Sequence, residues 1–196
     1  MKIPIFPLNG AIMFPNTNLP LNIFEERYID MVDYSLSTNK VIGMVQYKSN
    51  NELYSVGCYG KITAFNEMPD KRYFINLEGK DCFKIIREVN SEFKFRLCEI
   101  EVFENYNNNK LSDELKIELI SFYKKYNKIK NINLSLDEVS QLNIVDLLRL
   151  IIMVSPFDAN IKQLCLEVKS NKELYESVMS ALKIELVSNQ KNVSIN

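Results

Sequence analysis

Apolar positions recur with two different periods along this chain, and the change of period divides it. Over the first hundred or so residues the pattern is mostly that of strands. Val41 to Tyr47 is a nearly continuous β-rich apolar run punctuated by Gly43, which fits a strand covered on both faces. From Val56 to Met68 the apolar and polar positions alternate, with Cys58, Gly60, Ile62 and Ala64 on one side and Tyr59, Lys61, Thr63 and Phe65 on the other. Pro69-Asp70 is a turn dipeptide, and the alternation resumes at Tyr73, Ile75 and Leu77, so the two runs predict a hairpin whose second strand closes at Gly79. Further strands are predicted over Phe83 to Val89 and Phe93 to Phe103, separated by Asn90-Ser91. In the last of these the apolar parity shifts between Leu97 and Cys98, which in a one-sided strand requires a bulge near Leu97.

One helix interrupts the strands. Asn22, with Glu25 three residues on, has the spacing of a capping box, and Phe24, Tyr28, Met31 and Ser35 follow at helical intervals as far as about Ser37. On this reading Pro20 fixes the entry to the helix, Asn22 and Glu25 satisfy its first amides, and Phe24 and Tyr28 face the core. Arg27, a charge beside core aromatics, is expected to pair with a carboxylate.

After the polar run Asn105-Tyr106-Asn107-Asn108-Asn109, which cannot bury itself, helical spacing takes over. Ser112 or Asp113 caps a segment carrying Leu115, Leu119, Phe122 and Tyr126. Ser135 with Glu138 starts a short helix, and Asn143 with Asp146 starts an apolar one through Val154. Ser155-Pro156 reads as a cap and first-turn proline leading to Ile161, Leu164, Cys165 and Val168. Ser170 with Glu173 caps a last helix bearing Leu174, Val178, Met179, Leu182 and Leu186. The predicted organisation is a β-rich domain over 1–105, helices over 110–187 and a flexible polar tail over 188–196.

Composition narrows the chemistry. Lys+Arg 24 against Asp+Glu 25 gives a net charge of -1, so no long-range field attracts the chain to phosphate backbones or anionic lipid. The densest basic stretch, Lys124, Lys125, Lys128 and Lys130, reads as the solvated face of a helix. His is absent, which removes histidine triads, HExxH zinc sites and Cys-His dyads. Cys58, Cys82, Cys98 and Cys165 form no CxxC pair and suit buried positions in a reducing compartment. The five glycines make no GxxxxGK[ST] phosphate loop, and no serine is marked as an activated nucleophile. No secretory leader is evident at the proline-broken N-terminus, and Leu147 to Val154, interrupted by Arg149, is too short to span a bilayer. A cytoplasmic, non-catalytic protein without cofactor or metal is expected.

Phe6-Pro7-Leu8, Phe14-Pro15 and the run Leu19 to Tyr28 resemble the opening signature of the N-terminal domain family of Lon proteases. Val56-Gly57-Cys58-Tyr59-Gly60-Lys61-Ile62, Pro69 to Tyr73 and Leu77-Glu78-Gly79 resemble its glycine-containing strand and the following hairpin, in matching order and spacing. Ile161 to Glu167 is similar to the Lys-Gln-x-Leu-Leu-Glu segment of its helical half. Two positions depart from the family pattern. Lys71 stands where glycine is usual, so a change of turn type is expected, because a left-handed residue other than glycine costs about 1–2 kcal/mol. Cys82 stands where an arginine usually precedes the phenylalanine, which removes any ion pair built on that arginine.

The resemblance implies an α+β fold, with an N-terminal PUA-like pseudo-β-barrel containing one helix, followed by a C-terminal α-helical bundle. It also implies a polypeptide-recognition or adaptor module, with unfolded or tagged polypeptides and a protease or chaperone as partners. Membrane is not among the expected partners, and nucleic acid is disfavoured by the charge balance. The alternative that the PUA likeness raises is an RNA-binding module. Polypeptide binding asks for an exposed apolar concavity or an open strand margin. Phe65, Met68 and Tyr73, flanking the Pro69-Asp70 turn, are the candidate contacts, and a cleft between the two parts is a competing location.

Overall fold

The computed structural model describes residues 1–49, 52–103, 110–132 and 141–193. The chain divides into two compact units, Met1–Glu104 and Asn105–Asn196. Both the polar run 105–109 and the short helix expected from Ser135 and Glu138 lie outside the described residues.

In the first unit the elements are β1 (Lys2–Leu8), β2 (Asn18–Ile23), α1 (Glu26–Ser37), β3 (Val41–Ser49), β4 (Glu52–Leu53), β5 (Val56–Glu67), β6 (Tyr73–Val89) and β7 (Arg96–Phe103). They form a mixed α/β unit with one seven-stranded sheet. Strand pairing returns on itself: β1 pairs with β7, β7 with β6, β6 with β5, β5 with β3, and β3 with β1. Among the described strands only the β1–β3 contact is parallel, with Ile5 beside Gly43 and Leu8 beside Gln46. Parallel neighbours need a long crossover, and here β2 and α1 lie within it. Inside the circuit Ile3, Ile5, Val41, Val45, Phe83, Cys98 and Ile100 make a buried cluster.

β3 is buried from Val41 through Gln46, as its unbroken apolar run predicts. The β5–β6 hairpin is present, with Phe65 opposite Ile75 and Glu67 opposite Tyr73. Along β5 the alternation holds as far as Ile62; Ala64, expected on the covered face, is exposed because the hairpin arm runs out beyond β3, whose pairing with β5 ends at Lys61. Lys71 adopts the left-handed conformation at φ 67 in spite of its side chain. The Lys71 N–H donates to the Met68 carbonyl at 2.9 Å and the Met68 N–H to the Arg72 carbonyl at 2.8 Å, so Pro69 occupies the second position of a tight turn and Lys71 the position glycine prefers.

Five local expectations are corrected. Asn22 does not cap a helix: it lies in β2 opposite Phe74, and α1 begins only at Glu26 after an extended Glu25 with no side-chain cap bond. Pairing with β6 carries the chain past Asn22, so the Asn22–Glu25 spacing is that of a strand end. Phe24 therefore falls before the helix and is 69% exposed, while Tyr28, Met31, Val32 and Ser35 form the buried stripe. Gly79 does not end a strand, since β6 continues to Val89. Glycine is needed there because the Phe14 carbonyl lies where a Cβ would be, and Gly79 exchanges backbone hydrogen bonds with Asn16 and Thr17 at 2.9 and 2.8 Å.

The last two corrections concern β7. It starts at Arg96, because Phe93 and Phe95 stack at 4.7 Å and pack on Tyr34 of α1 at 5.0 and 5.6 Å. No bulge sits at Leu97; the register shift is in β6, between Ile85 and Arg87. Leu97 and Cys98 are both buried, so β7 is covered on both faces there and the run of apolar residues needs no slip.

In the second unit α2 (Asp113–Lys130), α3 (Ile144–Val154), α4 (Ala159–Glu167) and α5 (Asn171–Val193) are described. α5 packs against each of the other three. Asn143 caps α3, accepting from the Asp146 N–H at 3.0 Å, and Ser170 accepts from the Glu173 N–H at 3.1 Å, both as read from sequence. Ser155-Pro156 does not start α4: Ser155 is the buried C-cap of α3, and Asp158 caps α4 by accepting from Asn160. Leu164, expected in the buried stripe, is exposed; Lys162 and Gln163 are buried in its stead. α2 ends on Asn131 in the left-handed conformation. Its Tyr123 and Tyr126 are fully buried, and burial pushes both hydroxyls up to about 12 against a smaller opposing effect of the neighbouring Ser155; for Tyr126 the Glu185 carboxylate adds to the rise.

Three tests follow from these features. Lys71→Gly removes the left-handed strain and is expected to raise stability by about 0.5–1 kcal/mol, after the entropy glycine returns to the unfolded chain, measurable as a higher urea midpoint. Gly79→Ala must push the Phe14 backbone away and is expected to lose about 2–3 kcal/mol by the same assay. Free tyrosine ionises near 10, so above roughly that pH the unfolded chain loses protons that Tyr123 and Tyr126 keep in the fold. Their contribution is intact below about pH 10 and is lost as pH rises through about 12. The urea midpoint of Tyr123→Phe is expected to fall less steeply over that window than that of the parent; equal slopes would contradict the assignment.

Candidate functional site

The end of β1 and the start of α1 enclose a pocket of about 300 Å³ within the first unit. Phe6, Pro7 and Leu8 line it from β1, Leu21 and Ile23 from β2, and Phe24, Arg27, Tyr28 and Tyr47 complete it. Its position follows from the strand pairing. β7 pairs with β1 only over Lys2 to Ile5, so among the described residues Phe6 to Leu8 have a strand neighbour on one side alone. Among the described strands β2 pairs with β6 alone. Pro7 and Pro20 lack an N–H, as suits strands with one unpaired margin.

The aromatic wall is fixed by contacts of Tyr28 with Phe6 of β1 and with Arg27. The rings of Phe6 and Tyr28 lie 4.5 Å apart at 57°, and the Arg27 guanidinium sits 4.5 Å from the Tyr28 ring centroid. Arg27 is held in turn by Glu25, with N–O distances of 2.8 and 3.0 Å, so its pairing is with its own near neighbour. Both partners are about half exposed, and such a pair orients more than it stabilises. Burial raises the Tyr28 hydroxyl above its ordinary value against the opposing Arg27 cation, and the neighbouring Tyr47 and Glu25 add smaller upward effects. Tyr28 therefore stays neutral at physiological pH. The pocket offers aromatic faces, apolar walls and a guanidinium oriented by the Glu25 carboxylate that also lines it.

Phe65, Met68 and Tyr73 are brought together at the tip of the β5–β6 hairpin. Phe65 and Tyr73 meet edge to face at 4.9 Å, and the Asn66 amide reaches the Met68 sulfur at 3.5 Å. Burial, together with the nearby Asp33 carboxylate of α1, raises the Tyr73 hydroxyl above its usual value. Phe65 and Phe74 are exposed, and Thr63 to Glu67 pair only with β6 among the described strands. This tip is an apolar patch on a projecting arm rather than a concavity.

Reading the sequence for contacts missed Phe6, Pro7, Leu8 and Tyr47 as pocket residues. The signal available was Pro7 itself: a proline inside an apolar strand marks a margin that no neighbour fills. Among the described residues no cluster of three or more Cys, Asp or Glu could hold a metal, and no helix is long and apolar enough to cross a membrane.

Comparison with known proteins gives a consistent result. The family model of the ATP-dependent protease La (LON) substrate-binding domain matches residues 2–183. A Lon protease of Dictyoglomus thermophilum is 29% identical over 108 residues, covering 52% of this chain and 14% of that protein. One from Buchnera aphidicola subsp. Baizongia pistaciae is 24% identical over 202 residues, covering 95% and 25%. The chain thus spans a quarter or less of these relatives. Among solved structures, a Lon N-terminal domain protein from Xanthomonas campestris superposes with a TM-score of 0.71 at 16% identity, covering 92% of this chain and 98% of that one. The N-terminal domain of a Mycobacterium avium complex Lon protease gives 0.74 at 13%, covering 93% and 98%. A family match over nearly the whole chain, joined to the same fold, means that this protein belongs to the Lon substrate-binding domain family.

Proposed function

We propose that the chain is a non-catalytic polypeptide-recognition module that holds an unfolded or tagged segment in the Phe6–Tyr28 pocket. The observation that carries this reading is the coincidence of an aromatic pocket with two margins, at β1 and at β2, that no other described strand pairs with. An extended segment supplies what each lacks: an apolar side chain for the pocket and backbone groups for a margin. Burying one large apolar side chain is worth about 1.5–3 kcal/mol and each new backbone hydrogen bond about 0.5–1.5 kcal/mol. After the cost of immobilising the segment, that supports affinities of roughly micromolar to millimolar, suited to sequence-tolerant selection.

The closed path of strand pairings supports the further reading of the first unit as a PUA-like pseudo-barrel, and the packing of α5 on three helices supports that of the second as a helical bundle. Phe65, Met68 and Tyr73 are assigned as a secondary apolar contact along the client's path. Clients in this reading pass on to a protease or chaperone.

The test is fluorescence anisotropy with a carboxymethylated, permanently unfolded polypeptide as probe. Phe24 is 69% exposed, so Phe24→Ser alters the pocket at little cost to stability. It is expected to weaken binding about tenfold, while Phe65→Ser changes it by about twofold or less. Loss of binding in Phe65→Ser with none in Phe24→Ser would transfer the site to the hairpin tip, and indifference to both would refute the proposal.

A further inference from the structure

We propose that the outward face of α5 is a self-association surface, on which a second copy of this chain docks with its own α5 antiparallel. Leu174, Val178, Met179 and Leu182 bury one stripe of this helix. Glu176, Ser180, Lys183, Ile184 and Val187 recur at intervals of three and four and share the opposite face. Ile184 is 60% and Val187 52% exposed, and Leu164 of the adjoining α4 is 61% exposed. Three large apolar side chains that close together on one surface are unusual for scattered exposure.

Two hollows flank this face, and they carry opposite charge. Between α4 and α5 lies one of about 640 Å³, lined by Leu164, Cys165, Ala181 and Ile184 and bearing Glu173 and Glu176. Between α2 and α5 lies another of about 480 Å³, lined by Phe122, Ile129 and Val187 and bearing Lys125, Lys128 and Lys183. The ammonium groups of Lys125 and Lys183 lie 5.5 and 5.2 Å from the Phe122 ring centroid, which holds the positive charge around an apolar floor. Glu176 has only a loose neighbour in Lys172 at 3.8 Å, with both side chains well exposed, whereas the Glu173 carboxylate is engaged by the Lys169 N–H at 3.0 Å.

The acidic groups stand in the N-terminal half of α5 and Lys183 in the C-terminal half. Glu176 and Lys183 are seven residues apart, about 10 Å along the axis, and the exposed Ser180 lies between them. Two such helices are complementary only when antiparallel. A twofold axis near Ser180 then sets Glu176 of each copy against Lys183 of the other, brings Ile184 and Val187 towards the partner's apolar hollow, and permits close approach at the small serine. This is an isologous contact, and its two ion pairs are symmetry copies. The charge pattern selects a second copy as the occupant, because a foreign acidic or basic segment would satisfy one hollow and repel from the other. A contact built on one helix pair is small, and exposed ion pairs contribute little individually, so the dimer is weak and salt-sensitive.

The experiment is sedimentation velocity of the full chain from about 10 μM to about 1 mM at low ionic strength and again in about 0.5 M salt. A dimer that grows with concentration and recedes with salt is expected. Lys183→Glu and Glu176→Lys, both at exposed positions and checked for unchanged helix content by circular dichroism, should each weaken it about tenfold or more. An equimolar mixture of the two variants should recover a heterodimer, since each reversed side chain then meets its opposite in both symmetry positions, and the double variant should return to the parent's behaviour. A chain that is monomeric throughout overturns the proposal, as does a dimer indifferent to both reversals or one that mixing does not restore. Monomeric chain that binds a synthetic glutamate- and leucine-rich helical peptide in a Lys183-dependent manner would assign the surface to a foreign acidic partner and equally overturn it.

Discussion

The Phe83 ring fills the middle of the strand circuit, and it fits there because two neighbouring strands present glycine to it. A Cβ on Gly43 would stand 2.9 Å from the Phe83 ring and 2.7 Å from Ile5; one on Gly57 would fall against the Met44 carbonyl oxygen and stand 2.9 Å from the same ring. β3 and β5 therefore approach the ring from two sides, and β1 closes on β3 in parallel. Cores pack at crystal-like density, so a ring of this size leaves no room for a side chain at either glycine. Cys82, beside Phe83, lies opposite Cys58 across β5 and β6, and both are buried free thiols. A small apolar group is thus accommodated where relatives are expected to carry a guanidinium.

Closure has a consequence for the site. Strands within the circuit have neighbours on both sides and nothing to offer a ligand, so binding capacity collects where strands run past it. β1 overshoots β7 by three residues, β2 lies outside the circuit on β6, and the β5–β6 arm projects beyond β3. The first two overshoots flank the aromatic pocket. Phe24 is left exposed at its mouth because β2 runs to Ile23 before the chain turns into α1. A residue that would have stabilised the core in a longer helix is instead free to make contacts.

In the helical unit the segment Ile161 to Glu167 is organised by buried polar groups. The Lys162 ammonium donates to the Met153 carbonyl at 3.3 Å, near the C-terminal end of α3, where positive charge is favoured. Burial lowers the Lys162 value from that of a free lysine. Gln163 bonds Glu167 within α4 at 2.8 Å, and Arg149 reaches Asp146 within α3 at 3.2 Å. Buried polar groups are costly without partners, so the Lys162–Met153 bond ties α4 to the end of α3, while the other two satisfy polar groups within their own helices, and Leu164 is left exposed.

Periodicity alone was enough to place most of the elements here. The buried run Val41 to Gln46, the hairpin about Pro69-Asp70, the stripe of Tyr28, Met31, Val32 and Ser35, and the caps at Asn143 and Ser170 all depend on neighbours within a few residues, which local pattern records. What it misassigned was decided by distant partners. Asn22 has a cap's spacing, yet hydrogen bonding to β6, some fifty residues on, holds it in a strand. Gly79 has a terminator's look, yet the loop at Phe14 requires it in mid-strand. The pocket was illegible for the same reason: Phe6, Tyr28 and Tyr47 belong to three elements, and only the parallel closure of β1 on β3 and the packing of α1 over them bring the three rings to one place. Hydrophobic spacing carries which face of an element is covered; which element covers it is a property of the whole chain's packing, and that is where the site arises.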